Sequence, residues 1–428
     1  MTAQKTRGEV FTPLDLINEM LDKLPNEVWY DANLKWLEPS AGNGIFVKTV
    51  YDRLMLTIKD EKHILENMLY MVELDADNCE TIRNTYDAQY KLNLFEGDYK
   101  EYTTDIQFDI IYGNPPYQKV YLKTGKTSKG TSLWSLFINN SIKILKDDGF
   151  LLFVTPYSWM SGGSNKQSGN ILNGVMKKYT IYNLNIQDCS KHFKKVGSTF
   201  SYYLIKKSFE DKDFDCVCAY KKQLYTSRIS NNDFRKLQAV PILLNNTMIN
   251  IINKMLTITA RKTYEIKKGV DNRCIQQYLL NKNKDETDEE YKERAIKNGY
   301  LYEIQSSGTY VLYSSKMGLH QDKNKVLLSN SGHLHPSYDA GNKGVGGNCL
   351  CILVNDEIEA NKIINLINSK LYKLYLKTNK WCGFNNVPTL KRMPDITDYI
   401  GIITDKEIYD YFNLTEEEIN LIEDNISM

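Results

Sequence analysis

Asn114-Pro115-Pro116-Tyr117 ends an apolar run, Phe108-Asp109-Ile110-Ile111-Tyr112-Gly113, and these residue types suit one kind of chemistry. Prolines cannot continue a sheet ladder and fix their own φ, so a strand over Phe108 to Tyr112 must stop at Asn114. The Asn114 side-chain carbonyl and the Pro115 main-chain carbonyl can both accept hydrogen bonds from a planar amino group. That turns the nitrogen lone pair toward an incoming electrophile. Tyr117 can stack on the ring that bears the amine. By itself the tetrapeptide specifies only a planar amino or amide nitrogen.

Other positions carry charge or backbone freedom. Glu38-Pro39-Ser40-Ala41-Gly42-Asn43-Gly44 follows an apolar strand and precedes a helix, where a glycine turn lets a cofactor approach the backbone. It is not the dinucleotide fingerprint: a third glycine is missing, and the acid at Glu38 would repel a pyrophosphate while attracting a sulfonium or an ammonium. Glu73 ends the next strand, where a carboxylate can accept from both hydroxyls of a ribose, with Asp75 as the alternative two positions on. Upstream, Phe11-Thr12-Pro13 leads into a helical stripe of Leu14, Ile17, Leu21 and Leu24. There Thr12 is expected as N-cap, Pro13 in the first turn and Asp15 at the capping-box position.

The elements that must hold these residues follow from periodicity. Strands are expected at Leu34 to Glu38, Met68 to Leu74, Phe108 to Tyr112 and Phe150 to Thr155. Helices are expected from Ile45, from Ala76 and over Leu133 to Leu145, which makes a doubly wound α/β pattern. The turn Asp147-Asp148-Gly149 introduces the fourth strand. Tyr182 to Ile186 and Phe200 to Lys206, joined through Lys194, Lys195 and Gly197, are expected as an antiparallel hairpin at the sheet edge. Beyond Phe209 the alternation stops, which places a catalytic domain at 1–209 and an α+β domain at 210–428; 428 residues suit two domains. Lys282 to Arg294 reads as a solvated helix or linker, and Gly341 to Gly347 as a flexible loop.

Composition excludes other classes. Hydrophobic residues are 42% and charged residues 25%, with no apolar run long enough for a membrane span. The polar N-terminus lacks an export signal, so a cytoplasmic setting with reduced thiols is expected. Cys216/Cys218 and Cys349/Cys351 have strand spacing, His333/His335 reads as part of a turn, and no metal site is expected. Net charge is +1, but Val217 to Lys282 carries 12 Lys+Arg against 3 Asp+Glu, a local basic segment suited to a polyanion.

Taken together, the motifs resemble the amino-methylating DNA methyltransferases in their gamma order, with a Rossmann-like methyltransferase sheet. The match runs from Gly8 to about Lys207 and is weaker beyond, where Lys370 to Pro394, with Trp381, Gly383 and Phe384, resembles the endings of target-recognition domains. The resemblance implies S-adenosylmethionine as cofactor. Thr12 and Pro13 would close over its methionine part. Glu38, Pro39, Ser40, Ala41, Gly42 and Gly44 would form its loop, and Glu73 with Leu74 would take the ribose. Asp98 with Tyr99, in Phe95-Glu96-Gly97-Asp98-Tyr99, would take the adenine amine; Phe137 would pack on that ring, and Asn114 and Pro116 would line the same site. Asn114, Pro115 and Tyr117 would be catalytic, with Phe193 against an extruded base and the loop Gln118 to Ser132 ordering over it. Asn with Tyr leans toward adenine N6. The implied partners are double-stranded DNA and a companion restriction endonuclease. The alternatives are a protein-glutamine N5-methyltransferase, an rRNA base methyltransferase and a non-catalytic DNA-binding subunit; intact Asn114 and Glu38 argue against the last.

Overall fold

The computed structural model describes residues 11–117, 122–123, 126–127, 133–162, 171–193, 199–257, 262–308, 310–381 and 386–426. Gly8, most of the loop Gln118 to Ser132, the connection Lys194 to Gly197, and Gly383 with Phe384 lie outside them. The chain divides into a unit ending at Asn246 and a second from Thr247.

In the first unit, apolar runs become strands and amphipathic stripes become helices at nearly the expected places. These are α1 (Leu14–Leu21), β1 (Trp36–Glu38), α2 (Ile45–Thr57), β2 (Leu69–Glu73), α3 (Ala76–Thr85), β3 (Asn93–Glu96), β4 (Phe108–Gly113), α4 (Trp134–Ile144) and β5 (Leu145–Pro156). They continue with β6 (Thr180–Ile186), β7 (Phe200–Lys206), β8 (Asp213–Tyr220) and β9 (Gln223–Ser230). One nine-stranded sheet runs β9-β8-β6-β7-β5-β4-β1-β2-β3. β3, β2, β1, β4 and β5 are parallel, with β1 pairing both β2 and β4. Helices on both faces explain why β2 and β4 are buried nearly end to end. α1 buries Leu16, Ile17, Met20 and Leu21 against the same core as Trp36, Phe46 and Tyr112.

Several expectations need correction. The β6–β7 pair is antiparallel as expected but lies inside the sheet: β7 sits between β5 and β6, and β8 covers β6 in parallel. The catalytic domain therefore does not end at Phe209. β8 and β9 belong to its sheet, and the buried Asn231 carboxamide pairs with the Ile181 backbone, donating to its carbonyl and accepting from its N–H, each at 2.9 Å. Five of the 12 basic residues of the stretch from Val217 to Lys282 consequently belong to the first unit. At α1, Pro13 rather than Thr12 is the N-cap and no side chain caps the helix; Thr12 is buried instead. Asp147 to Gly149 lie within β5, with Asp148 at φ +63° beside a register shift against β4.

The second unit is α+β. Ile266–Lys268, Cys349–Leu353, Asn324–Ser329 and Ser337–Ala340 form an antiparallel four-stranded sheet, and Leu279–Leu280, Tyr310–Ser314, Tyr302–Ser307 and Lys343–Val345 form a mixed one. Helices Glu357–Asn368, Lys370–Asn379 and Glu416–Asn425 carry apolar faces. The glycines from 341 to 347 are not a loose loop: Lys343–Val345 pairs in parallel with Tyr302–Ser307, and a Cβ on Gly346 would stand 2.8 Å from the Gln305 carbonyl oxygen. Lys282 to Arg294 leads into a helix, Asp288–Lys297, opened by a capping box between Thr287 and Glu290. No helix among the described residues is long and apolar enough to cross a membrane.

A fragment ending at Asn246 is expected to melt in one cooperative transition followed by circular dichroism. One ending at Phe209 bares the β6 edge and loses Asn231, so it is expected to aggregate on gel filtration. Equal behaviour of the two fragments would contradict the corrected boundary.

Candidate active site

At the carboxyl ends of β1 and β4 the chain leaves toward opposite halves of the sheet, and such a switch point opens a crevice. Glu38 closes β1 and is 3% exposed, and its Oε2 has no hydrogen-bond partner among the described residues. Burial, and then the charge of Glu73, push the Glu38 carboxyl well above the usual carboxylate range; the Val47 amide offsets part of this. Glu73 closes β2, also buried, and accepts the Gly42 N–H at 2.7 Å on Oε2 and the Asp75 N–H at 2.9 Å on Oε1. Asp75 caps α3 instead, accepting from the Asp77 and Asn78 amides, both at 3.1 Å. The strand-end acid facing the crevice is thus Glu73.

The loop between β1 and α2 follows from its residue types. Pro39, Ser40 and Ala41 carry the chain past β2, where the Ala41 N–H bonds the Val72 carbonyl at 3.0 Å. Gly42 and Gly44 take φ +55° and +82°, and a Cβ on Gly44 would meet Ile82 at 2.9 Å. Phe11 lies over this turn, its ring 3.4 Å from where a Gly42 Cβ would stand. Gly113 ends β4 at φ +142°, and a Cβ there would come within 3.3 Å of Glu38. Beside Glu73, Leu74 is 70% exposed, an apolar face at the crevice rim. Past β3, Asp98 accepts the Lys100 N–H at 3.0 Å, while buried Tyr99 stacks on Phe137 with centroids 4.9 Å apart and bonds Ser141 at 3.0 Å. Tyr99 and Phe137 therefore pack on each other.

Asn114 follows directly. The Ser40 hydroxyl is 3.5 Å from its carbonyl oxygen, joining the loop after β1 to the one after β4. The Tyr117 hydroxyl donates to Asn114 Oδ1 at 2.6 Å. Burial drives that phenol well above its ordinary range, so it remains a donor. Pro115 is buried and Pro116 exposed. The Tyr117 ring lies on Phe200 at 5.3 Å, and Phe200 meets Phe193 at 4.5 Å, forming one aromatic group. Phe11, Gly113 and Phe200 complete the site but are absent from the residues expected to form it. A glycine inside an apolar strand does signal close approach at Gly113; Phe200 reads from sequence as ordinary core.

A family model described as Eco57I restriction-modification methylase matches residues 45–193. An uncharacterized adenine-specific methylase of Mycoplasma pneumoniae is 23% identical over 337 residues, covering 58% of this chain and 78% of that protein. The Type II methyltransferase M.HincII of Haemophilus influenzae is 24% identical over 229 residues, covering 49% of this chain but only 38% of that enzyme. Among solved structures, the Type IIL restriction-modification enzyme MmeI in complex with DNA aligns with TM-score 0.56 at 10% identity, over 100% of this chain and 78% of that one. A DrdV–DNA complex aligns with TM-score 0.58 at 12% identity, over 99% and 58% respectively. The fold is thus shared with restriction-modification enzymes along the length of the chain.

Because its carboxyl is raised on folding, Glu38 holds its proton to higher pH in the folded chain than in the unfolded one. Stability therefore falls as pH rises from the ordinary value of 4.5 toward the raised one. Glu38→Gln is expected to raise the ligand-free thermal midpoint by about 2–4 °C at pH 8 and by less at pH 5. Calorimetry showing no gain at pH 8 would contradict the buried charge.

Proposed function

We propose that the chain transfers a methyl group from S-adenosylmethionine to N6 of an adenine turned out of double-stranded DNA, as the methyltransferase of a restriction-modification system. The observation that carries the reading is a planar-amine acceptor, Asn114, linked through Ser40 to an acid-lined glycine loop at the sheet's switch point. The adenine-specific and restriction-modification relatives support it.

The residues present fit this cofactor. Glu38 offers a buried carboxylate oxygen without a partner among the described residues, which suits a cation, and Gly42 and Gly44 keep side chains out of its way. Glu73, which accepts the Gly42 and Asp75 amides, would also take the ribose hydroxyls, a carboxylate having about four lone-pair sites. Leu74, Asp98, Tyr99 and Phe137 would hold the adenosine end; Phe11, Thr12 and Pro13 would cover the methionine end. When bound, the cofactor supplies a methyl group made electrophilic by its sulfonium.

This chain's own residues orient the nucleophile. Asn114 Oδ1 and the Pro115 carbonyl accept the two N6 hydrogens, drawing the nitrogen lone pair out of the ring. An amide oxygen has two acceptor sites, so Oδ1 can take an amine hydrogen beside the Tyr117 hydroxyl. Phe200 backs one face of Tyr117, leaving the other for the base, with Phe193 as the second aromatic wall. Orientation and electrostatics would supply most of the rate; the methyl–sulfur bond would break as the bond to N6 forms, its electrons staying with sulfur, and N6 would then pass its extra proton to solvent water on the Asn114 Oδ1 side.

The second unit reads the target. An open concavity of about 460 Å³ lined by Arg273, Cys274, Gln276 and Gln277 offers guanidinium and amide groups of the kind that contact base edges. The order of parts, with the cofactor loop first, the catalytic loop next and the recognition unit last, is the gamma order. A companion endonuclease sharing the recognition sequence is the expected partner.

Incubating plasmid DNA with methyl-labelled cofactor and mapping modified bases is expected to give N6-methyladenine at one sequence context. Label confined to protein or RNA would overturn the reading. Asn114→Ala is expected to lower turnover by at least about a thousandfold while leaving cofactor affinity within about tenfold, because Asn114 acts on the amine.

A further inference from the structure

Helix α1 carries two acids, the exposed Asp15 and the half-buried Glu19, and three elements converge on Glu19. The Tyr202 hydroxyl of β7 donates to Glu19 Oε1 at 2.9 Å, the Asn185 amide of β6 reaches the same oxygen at 3.4 Å, and His192 Nε2 lies 3.0 Å from Oε2. Each donor belongs to the frame of the aromatic group beside Asn114. Asn185 Oδ1 takes the Cys189 N–H at 2.9 Å, which starts the turn that ends at His192 and Phe193. Ser190 of that turn takes the Phe200 N–H at 2.9 Å, and the Phe193 N–H returns to the Ser190 carbonyl at 3.1 Å.

The other end of α1 belongs to the cofactor side. Phe11, immediately before Thr12 and Pro13, lies over Gly42. Arg53 of α2 holds α1 through Asp22 and Asn18 Oδ1, each at 2.8 Å. A displacement of α1 as a body would therefore be felt at the glycine loop and at Phe193 together.

We propose that Glu19 is a positioning residue that sets Phe193 against the extruded adenine and ties the filling of that slot to the segment over the cofactor loop. The inference rests on the methyltransferase reading above. Glu19 touches neither substrate nor cofactor. Its carboxylate is the shared acceptor by which one helix holds both walls, so ordering the leading segment favours the arrangement of Phe193 that receives a base. Coupling of this kind is reciprocal between the two ligands.

The test uses the full chain and a duplex carrying 2-aminopurine at the adenine found by mapping. DNA affinity is measured with and without S-adenosylhomocysteine, together with the fluorescence rise on base extrusion. In the wild type the cofactor product is expected to tighten DNA binding about fivefold or more. Glu19→Ala is expected to bring that ratio below about twofold and to halve the fluorescence rise, with cofactor affinity alone changed less than about threefold. Glu19→Gln, which keeps an oxygen for Tyr202, is expected to recover most of the ratio. Tyr202→Phe removes one donor and is expected to give an intermediate ratio; it decides the matter if Glu19→Ala does not fold. A wild-type ratio near one, or a folded Glu19→Ala or Tyr202→Phe variant with wild-type coupling and fluorescence, overturns the inference. Absence of any DNA methylation by the wild type would instead overturn the parent reading.

Discussion

Glu38 and Glu73 end neighbouring parallel strands, and their carboxyl groups are held out of water within each other's field. Burial first, and then the charge of Glu73, push the Glu38 carboxyl above the usual carboxylate range. Much of the surrounding structure exists to permit that closeness. Gly42 turns its N–H onto Glu73, Gly44 fits against Ile82, and Gly113 passes Glu38 with no side chain of its own. Such an arrangement costs stability, since Glu38 Oε2 is buried with no hydrogen-bond partner among the described residues. Strain of this kind belongs at sites that must discriminate by charge.

The aromatic group completes the other half of the crevice by a different principle. Phe193, Phe200 and Tyr117 form a group of mutually tilted rings, an apolar wall rather than a polar one. Chemical choice is left to Asn114, whose acceptor oxygen is already oriented by a phenol.

The parallel half of the sheet was legible because buried strands read as apolar runs and the helices between them as 3.6-residue stripes. The strand-end acids follow from that frame. Glu73 and Asp75 do not separate on spacing, since either lies within reach of a strand end; in the fold Asp75 caps α3, while Glu73 accepts the Gly42 N–H. The reach of the sheet beyond Phe209 was hidden because β9 is an outer strand with exposed Gln223 and Leu224, so its pattern resembles surface loop. Four glycines at 341 to 347 suggested looseness, whereas two of them mark where backbones nearly touch. Glu19 was illegible for a simpler reason: its donors stand 166 to 183 residues away along the chain.

The insertion of β7 between β5 and β6 bears on how the protein is made. A strand in the middle of the sheet is added after both of its neighbours have been synthesised, so β5 and β6 each present an unpaired edge until residues 200–206 emerge from the ribosome. During that interval two apolar edges are available to the wrong partner. A pause in translation while residues 200–206 are still inside the ribosome would lengthen this exposure, and one after they have emerged would not, so the yield of folded protein should depend on where along the message the ribosome slows.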